Sequence, residues 1–438
     1  MSLTAERKTA LLALLTGVLL ALAFPPWNLW PLAWVAPGLL YVLLNAPPKR
    51  AALCGYLFGV ALYLLGAQWA RVLAVPLWLL LPVFPCGGFA LYGLANGLIL
   101  PHVPRKLRPV AFAVLWTAFE WLRGLGTYAS PWFSLASAHT HPTALPLLQS
   151  VSLLGTPGLA FVIALTSALL AEGALQRRGR FALALLIPLT LLLTPHPATT
   201  RQTSLFIALI QGGADAGSQA DYIALSRKAA LQHPALIVWP EGAATGLEKS
   251  QIAALARELK TPLLIGFYED GPDSRPTNLA LLFDGSGNEL GRYAKRRLAP
   301  FGEVYPFQRW IPGVYASFGI RHDSFHYGLT PGVLQLPSGQ TLGVGICFES
   351  AFPWVAAQNT RAGAQLLVFL TSDQAFGQSA ALAQHRDLAL VRAVENRRPV
   401  VQVATTGMTT LISPTGEVRA HLAPGKIGIL FVHAILPE

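Results

Sequence analysis

The chain has 438 residues and a formal net charge of +11, with 53% hydrophobic and only 12% charged residues. That charged share is about half that of an ordinary soluble domain, which argues against a single soluble body, and the length fits about two or three domains. The positive excess does not point to nucleic acid, because much of it lies in short segments between apolar runs.

The charge deficit is confined to the first half. Residues 9–48, 51–70, 72–104, 124–171 and 181–200 contain no Asp, Glu, Lys or Arg. A bilayer core takes roughly 20 apolar residues per helix. About seven spans are expected, near 9–25, 28–45, 51–70, 77–100, 109–123, 150–171 and 181–195, with prolines such as Pro25-Pro26 marking breaks. The first apolar run is not expected to be a cleaved signal, since a second follows at once. With the N-terminus in the cytoplasm, the inner segments hold Arg7, Lys8, Lys49, Arg50, Arg105, Lys106, Arg108, Arg177, Arg178 and Arg180; the outer segments hold only Arg71 and Arg123. That asymmetry follows the positive-inside tendency. Seven spans then deliver the C-terminal half to the outer face.

Three features of this half carry chemistry. Glu120 and Arg123 end the fifth span; an i,i+3 interfacial pair is the expected reading, with a functional role as the alternative. Trp116, Trp121 and Trp132 fit an aromatic belt. His139 and His141 form an isolated H-x-H without further ligands at metal spacing, so no metal site is expected. Cys54 and Cys86 lie inside apolar runs and form no disulfide framework.

After residue 200 ordinary charge density returns. Strands are expected at 204–210, 235–239, 262–269, 278–284, 291–295, 341–346, 365–370 and 399–404, with helices near 221–231, 251–260, 351–362 and 380–397. DGSGNE (284–289) reads as a hairpin turn. Strands alternating with helices indicate a layered α/β or α+β domain. Sites in such sheets form beyond the carboxyl ends of strands. Glu241, Lys295 and Cys347 occupy three such ends. A nucleophilic thiol needs a base and a cation or N–H donors for the developing oxyanion, and these residue types supply those roles. Each also has a plainer reading: a solvated loop carboxylate, one member of a surface KRR run, and a small buried hydrophobe.

The three blocks VWPEGA (238–243), YAKRRLAPFGE (293–303) and GICFES (345–350) resemble, in order, the signature blocks of the nitrilase (carbon–nitrogen hydrolase) superfamily. LAFPPWNLWPLAW (22–34), EWLRG (120–124), SPWFSLA (130–136) and GTPGLAFVIALTSALLAE (155–172) resemble the span and loop patterns of its membrane-embedded branch, the apolipoprotein N-acyltransferases. The resemblance covers about residues 10–435. It implies a transmembrane domain over residues 1–200 and an extracytoplasmic nitrilase-like αββα sandwich over residues 201–438. It further implies acyl transfer at the outer face of the cytoplasmic (inner) membrane. Cys347 would take an acyl chain from a phospholipid such as phosphatidylethanolamine as a thioester, then give it to the N-terminal amine of a diacylglyceryl apolipoprotein. By the same resemblance Glu241 is the general base and Lys295 holds the oxyanion. Glu303 is a second positioning carboxylate, and Phe348 and Glu349 shape and orient the pocket. No cofactor or metal is implied, and a monomer is expected.

The aromatic, glycine-rich segment 303–333 is expected to be a mobile lid meeting the lipid surface. Four departures bear on the substrate pocket rather than the three central residues. GKIGILFVHAILPE (425–438) reads as a β-strand too short to cross where an eighth span is usual, so anchoring at one end is expected. TSDQAFG (371–377) stands where Asn-Asp-Ala-Trp-Phe is usual. TTG (405–407) has Thr before Gly in place of Asn. The segment after Gln211-Gly212 lacks the usual Asn and Trp. Two other readings remain open: a membrane-tethered amidase or nitrilase acting on a small amide, and a non-catalytic membrane scaffold.

Overall fold

The computed structural model describes residues 3–437 apart from 74, 81, 196–201, 214–217, 272, 274 and 318–322. The chain divides into two compact units. One comprises Met1–Leu125, Ala129–His196 and Ser379–Asp387; the other comprises Gly126–Tyr128, Pro197–Gln378 and Leu388–Glu438.

The first unit is helical: α1 (Leu3–Ala21), α2 (Ala36–Leu44), α3 (Pro48–Gly66), α4 (Val75–Leu80), α5 (Val83–Ile99), α6 (Arg108–Leu122), α7 (Leu145–Leu148), α8 (Val151–Gln176) and α9 (Leu186–Leu191). Each of the seven apolar segments is helical over part of its length. Helices α3 and α8 are long and apolar enough to cross a membrane. Helix α8 breaks at Gly155, whose φ of 67° is a left-handed value that glycine adopts without penalty. Helices α3 and α5 touch backbone to backbone: a Cβ at Gly55 would strike Phe89 O, and one at Gly93 would strike Ala51 O. Small residues permit this approach, a packing mode that also serves helices in lipid, where no hydrophobic drive acts between them.

The expected i,i+3 pair of Glu120 and Arg123 proves to have partners in the following loop. Glu120 accepts from Trp116 Nε1 (3.0 Å) and Leu135 N (2.8 Å). Arg123 donates to Tyr63 Oη (2.8 Å), Ser130 O (3.0 Å) and Trp132 O, and lies over the rings of Phe89 and Phe119. Both side chains therefore organise residues 130–135, which neither sequence reading anticipated. His139 is fully buried; Trp34 Nε1 donates to its Nε2 (2.7 Å) and its Nδ1 donates to Leu135 O (3.0 Å). Burial pushes this imidazole down to about 4, so it is neutral at ordinary pH. With both nitrogens engaged it has no lone pair for a metal. Also inside this unit, Gln384 saturates its amide: Trp69 and Trp132 donate to Oε1, and Nε2 donates to Pro25 O and Gly66 O.

The second unit holds two six-stranded sheets. The first runs β12-β1-β2-β3-β4-β5 and the second β11-β10-β9-β8-β7-β6. Their strands are β1 (Gln202–Gln211), β2 (Leu236–Val238), β3 (Leu263–Asp270), β4 (Pro276–Phe283), β5 (Glu289–Ala294), β6 (Val333–Gln335), β7 (Thr341–Ile346), β8 (Leu366–Thr371), β9 (Val400–Ala404), β10 (Thr409–Ile412), β11 (Val418–Leu422) and β12 (Gly428–Pro437). Each sheet has a parallel centre, β1-β2-β3 and β7-β8-β9, with antiparallel strands outside it. The sheets face each other through Leu209, Val238, Leu264, Leu282, Val344, Ile346, Val368 and Val403, all buried. Helices α10 (Ser218–Ala230) and α11 (Lys249–Leu259) cover the outer face of the first sheet through Tyr222, Ala229, Ile252 and Ala256. The remaining helices are α12 (Pro312–Ser317), α13 (Pro353–Arg361) and α14 (Ala380–Asn396), with α13 packed on β7 and β8. This is the expected αββα sandwich. Strands β6, β10 and β11 were not anticipated.

Candidate active site

Glu241 follows β2, Lys295 follows β5 and Cys347 follows β7, and the fold brings these three strand ends together. The antiparallel register does part of the work. Tyr268 on β3 is paired with Asn278 on β4, and Lys295 N donates to Asn278 O (2.9 Å). Paired residues in antiparallel strands share a face. Tyr268, Asn278 and Lys295 thus form one row on the face between the sheets.

Lys295 is 1% exposed, so it is no member of a surface basic run. Its Nζ lies 3.1 Å from Glu241 Oε1 and 2.8 Å from Glu303. Asn278 Nδ2 donates to Oε1 of both carboxylates, at 2.7 Å each. Glu241 Oε2 accepts from Ser372 N (2.9 Å), and Glu303 Oε2 from Ala299 N (2.8 Å). Glu241 and Glu303 are themselves buried. Burial alone would depress the Lys295 ammonium, but Glu241 and Glu303 outweigh it and hold the group well above its usual range. The lysine is therefore a fixed cation.

Cys347 is half-buried and has φ 51°, a left-handed value for a residue with a Cβ. Such backbone strain costs on the order of 1–3 kcal/mol and clusters at functional sites. Burial pushes its thiol well above the ordinary cysteine range, and the charge of Glu241 adds to this while Lys295 opposes it. Cys347 therefore rests as the protonated thiol. Thr371 also bonds to it, and the Asp373 carboxylate acts on it from the same strand end.

Glu349 is fully buried and accepts from Ile346 N (2.8 Å), Arg296 N (2.9 Å), Arg297 N (3.0 Å) and Tyr293 Oη (2.8 Å). It ties the turn after Lys295 to the end of β7, an orienting position. Phe348 packs edge-on against Phe352 at 5.1 Å. Asn278 and Tyr268 were not read from the sequence, and Thr371, Ser372 and Asp373 were read only as part of the TSDQAFG block, with no individual role. Among the described residues no group of three or more His, Cys, Asp or Glu could hold a metal ion.

Two carboxylates, a buried ammonium and a thiol thus meet on a nitrilase-like scaffold, and comparison with known proteins places the scaffold. Residues 16–169 match the apolipoprotein N-acyltransferase N-terminal domain, and residues 207–436 match the carbon–nitrogen hydrolase family. The apolipoprotein N-acyltransferase of Geobacter metallireducens is 32% identical over 94% of this chain and 87% of its own. The chain belongs to the apolipoprotein N-acyltransferase family. The members from Azotobacter vinelandii (31% identical, 96% of this chain and 88% of that one) and Vibrio cholerae (27%, 96% and 90%) span it equally fully. Among solved structures, the C. elegans NitFhit protein aligns with 54% of this chain and 61% of its own at 22% identity and TM-score 0.45. The NitN amidase of a Nesterenkonia species aligns with 52% and 92% at 20% and 0.42. The N-acyltransferase N-terminal match falls within the helical unit, and the hydrolase match runs through the unit that carries Glu241, Lys295 and Cys347.

Proposed function

We propose that this protein moves an acyl chain from a phospholipid to the N-terminal amine of a diacylglyceryl apolipoprotein through a thioester on Cys347. The observation that carries the reading is a buried ammonium shared by two carboxylates beside a strained, protonated thiol. In the first step Cys347 Sγ attacks the ester carbonyl and Glu241 takes the thiol proton. Lys295 stabilises the oxyanion. Collapse breaks the C–O bond, and Glu241 returns the proton to the departing alcohol oxygen. In the second step the acceptor amine attacks the thioester carbonyl. Its proton passes through Glu241 to the sulfur as the C–S bond breaks. Glu303 and Asn278 fix Lys295 and Glu241, and Glu349 fixes the nucleophile loop. The excess of basic residues on alternate loops supports a cytoplasmic N-terminus with this chemistry at the outer face of the cytoplasmic membrane.

Incubating the full-length protein with phosphatidylethanolamine vesicles is expected to leave an acyl adduct on Cys347. Intact-mass and peptide spectrometry would find it, hydroxylamine would remove it, and the Cys347→Ala variant would lack it. No adduct on the wild-type protein would sink the reading. Ammonia released from a soluble amide would favour the hydrolase instead, and lipoprotein maturation supported by Cys347→Ala would favour a scaffold.

The segment around and after Glu303 supports a lipid-facing entrance. Phe301, Phe307, Trp310 and Ile311 are all exposed, and Phe307 stacks on Trp310 at 5.6 Å. Residues 318–322 of the expected lid lie outside the described residues. Exposed apolar groups of this kind mark membrane or partner contacts. Replacing Phe307 and Trp310 by serine is expected to slow acylation from vesicles by about tenfold, while acylation from a soluble p-nitrophenyl ester changes less than about twofold. Equal slowing with both donors would remove the entrance role.

A further inference from the structure

Tyr268 is the one member of the row Tyr268–Asn278–Lys295 that no step above uses. The register puts its side chain on the face between the sheets, directly beside Asn278, which itself binds Glu241 and Glu303. The neighbouring strand end carries Glu241. A Cβ on Gly242 would lie 2.7 Å from the Tyr268 ring, so the ring is packed against the residue after the base. Phe325 holds its other side edge-on at 6.0 Å. The ring is thus fixed, yet the residue is only half-buried, and its hydroxyl makes no hydrogen bond with any described residue. Buried or half-buried phenols usually find a partner. This one lies among Glu241, Lys295, Glu303 and Cys347, each of which acts electrostatically upon it.

We propose that Tyr268 is a further catalytic residue, whose hydroxyl donates a hydrogen bond to the acyl oxygen as that oxygen becomes an oxyanion. This rests on the acyl-transfer reading given above and adds a donor to it. Both half-reactions pass through a tetrahedral centre at the same carbonyl carbon. As Sγ or the amine nitrogen bonds to that carbon, the carbonyl π pair moves onto oxygen. Lys295 offers a charged donor and Tyr268 a neutral one; neither gives up its proton. On collapse the pair returns, and either the C–O or the C–S bond breaks. Burial, reinforced by Glu241, holds the phenol well above its usual range, so it stays protonated and able to donate throughout. A neutral donor adds stabilisation without placing a second cation beside Lys295, which Glu241 and Glu303 already hold in place. The residue that places it is glycine: any side chain at Gly242 would push the ring away from the base.

The test is Tyr268→Phe in the full-length protein, which keeps the ring and its packing. Acylation of Cys347 by phosphatidylethanolamine vesicles, and by p-nitrophenyl hexanoate, is measured alongside discharge to a diacylglyceryl-cysteine peptide. Removal of one oxyanion donor lowers kcat by roughly 10²–10³-fold in the best-studied case; here, with Lys295 still present, about 10- to 100-fold is expected in both half-reactions, with KM changed less than about threefold. Alkylation of Cys347 by iodoacetamide, a displacement at carbon without an oxyanion, is expected to stay within about twofold of wild type. The inference is overturned if kcat is unchanged, or if alkylation falls in step with acylation, since either removes the carbonyl oxygen as the partner. If the wild-type protein is acylated by the p-nitrophenyl ester and not by phospholipid, the donor reading fails alone, and the Tyr268→Phe comparison on the simple ester still decides this inference.

Discussion

Lys295→Met is expected to weaken the fold as well as abolish acyl transfer. The ammonium is 1% exposed and shared between Glu241 and Glu303. Without it the two carboxylates face each other across one amide, Asn278 Nδ2, which reaches both. Breaking a buried ion pair by deleting one partner typically costs about 3–5 kcal/mol, because the remaining charge is left uncompensated. For a domain of this size that corresponds to a fall of roughly 2–4 °C in Tm per kcal/mol, readable by thermal unfolding of the solubilised protein. Acyl transfer should fall by at least about 10²–10³-fold, the effect of losing an oxyanion donor. The double variant Lys295→Met with Glu303→Gln separates the two effects. It removes one buried negative charge as well, so stability should largely return while activity does not. Wild-type stability in Lys295→Met would mean that the charge cluster is not the element holding these strand ends together.

Glu241→Gln is expected to make the thiol more acidic and the enzyme nearly inactive. Glu241 is, after burial, the chief reason that the Cys347 thiol lies above its usual range. A neutral amide removes that contribution, so the thiol's pKa falls. The alkaline rise of iodoacetamide alkylation should then begin at lower pH than in wild type. Acyl transfer should nevertheless drop by about 10²–10⁴-fold, the usual worth of a positioned base. More thiolate with less transfer is the signature of a base that acts during attack. Glutamine also has a single acceptor oxygen, so it can serve Lys295 and Asn278 or Ser372 N, but not both sides at once. If the alkylation profile and the transfer rate moved in the same direction, Glu241 would be tuning the thiol rather than relaying its proton.

Glu241 and Cys347 were legible as chemically active groups at the ends of buried apolar runs, and Lys295, after the polar strand β5, through its place in the YAKRRLAPFGE block between them. The structure separates Lys295 from the adjacent arginines by strand alternation: Tyr293 lies in the core between the sheets, so Lys295, two residues on, points the same way. Asn278 and Tyr268 were not legible, and a bulge hides the placing of Asn278 beside Lys295. The β4–β5 register shifts between Leu282 and Phe283. Counting back from the DGSGNE turn without that shift sets Asn278 opposite Ala294 rather than Lys295. A slip of one residue turns a side chain to the opposite face. Strands β6, β10 and β11 were missed because they are three to five residues long and lie toward the margins of their sheet. Glu120 and Arg123 were read as a local pair because sequence spacing shows i,i+3 neighbours and hides the loop carbonyls that Arg123 gathers.

The bond from Ser372 N to Glu241 Oε2 has a consequence for sequence drift. Glu241 is held on one side by the main chain just after β8, whatever side chain residue 372 carries. The exchange of asparagine for serine at this place, a departure from the usual family block, therefore leaves the grip on Glu241 untouched. Every residue but proline supplies the same N–H. Substitution at position 372, proline apart, should therefore leave this contact to Glu241 in place.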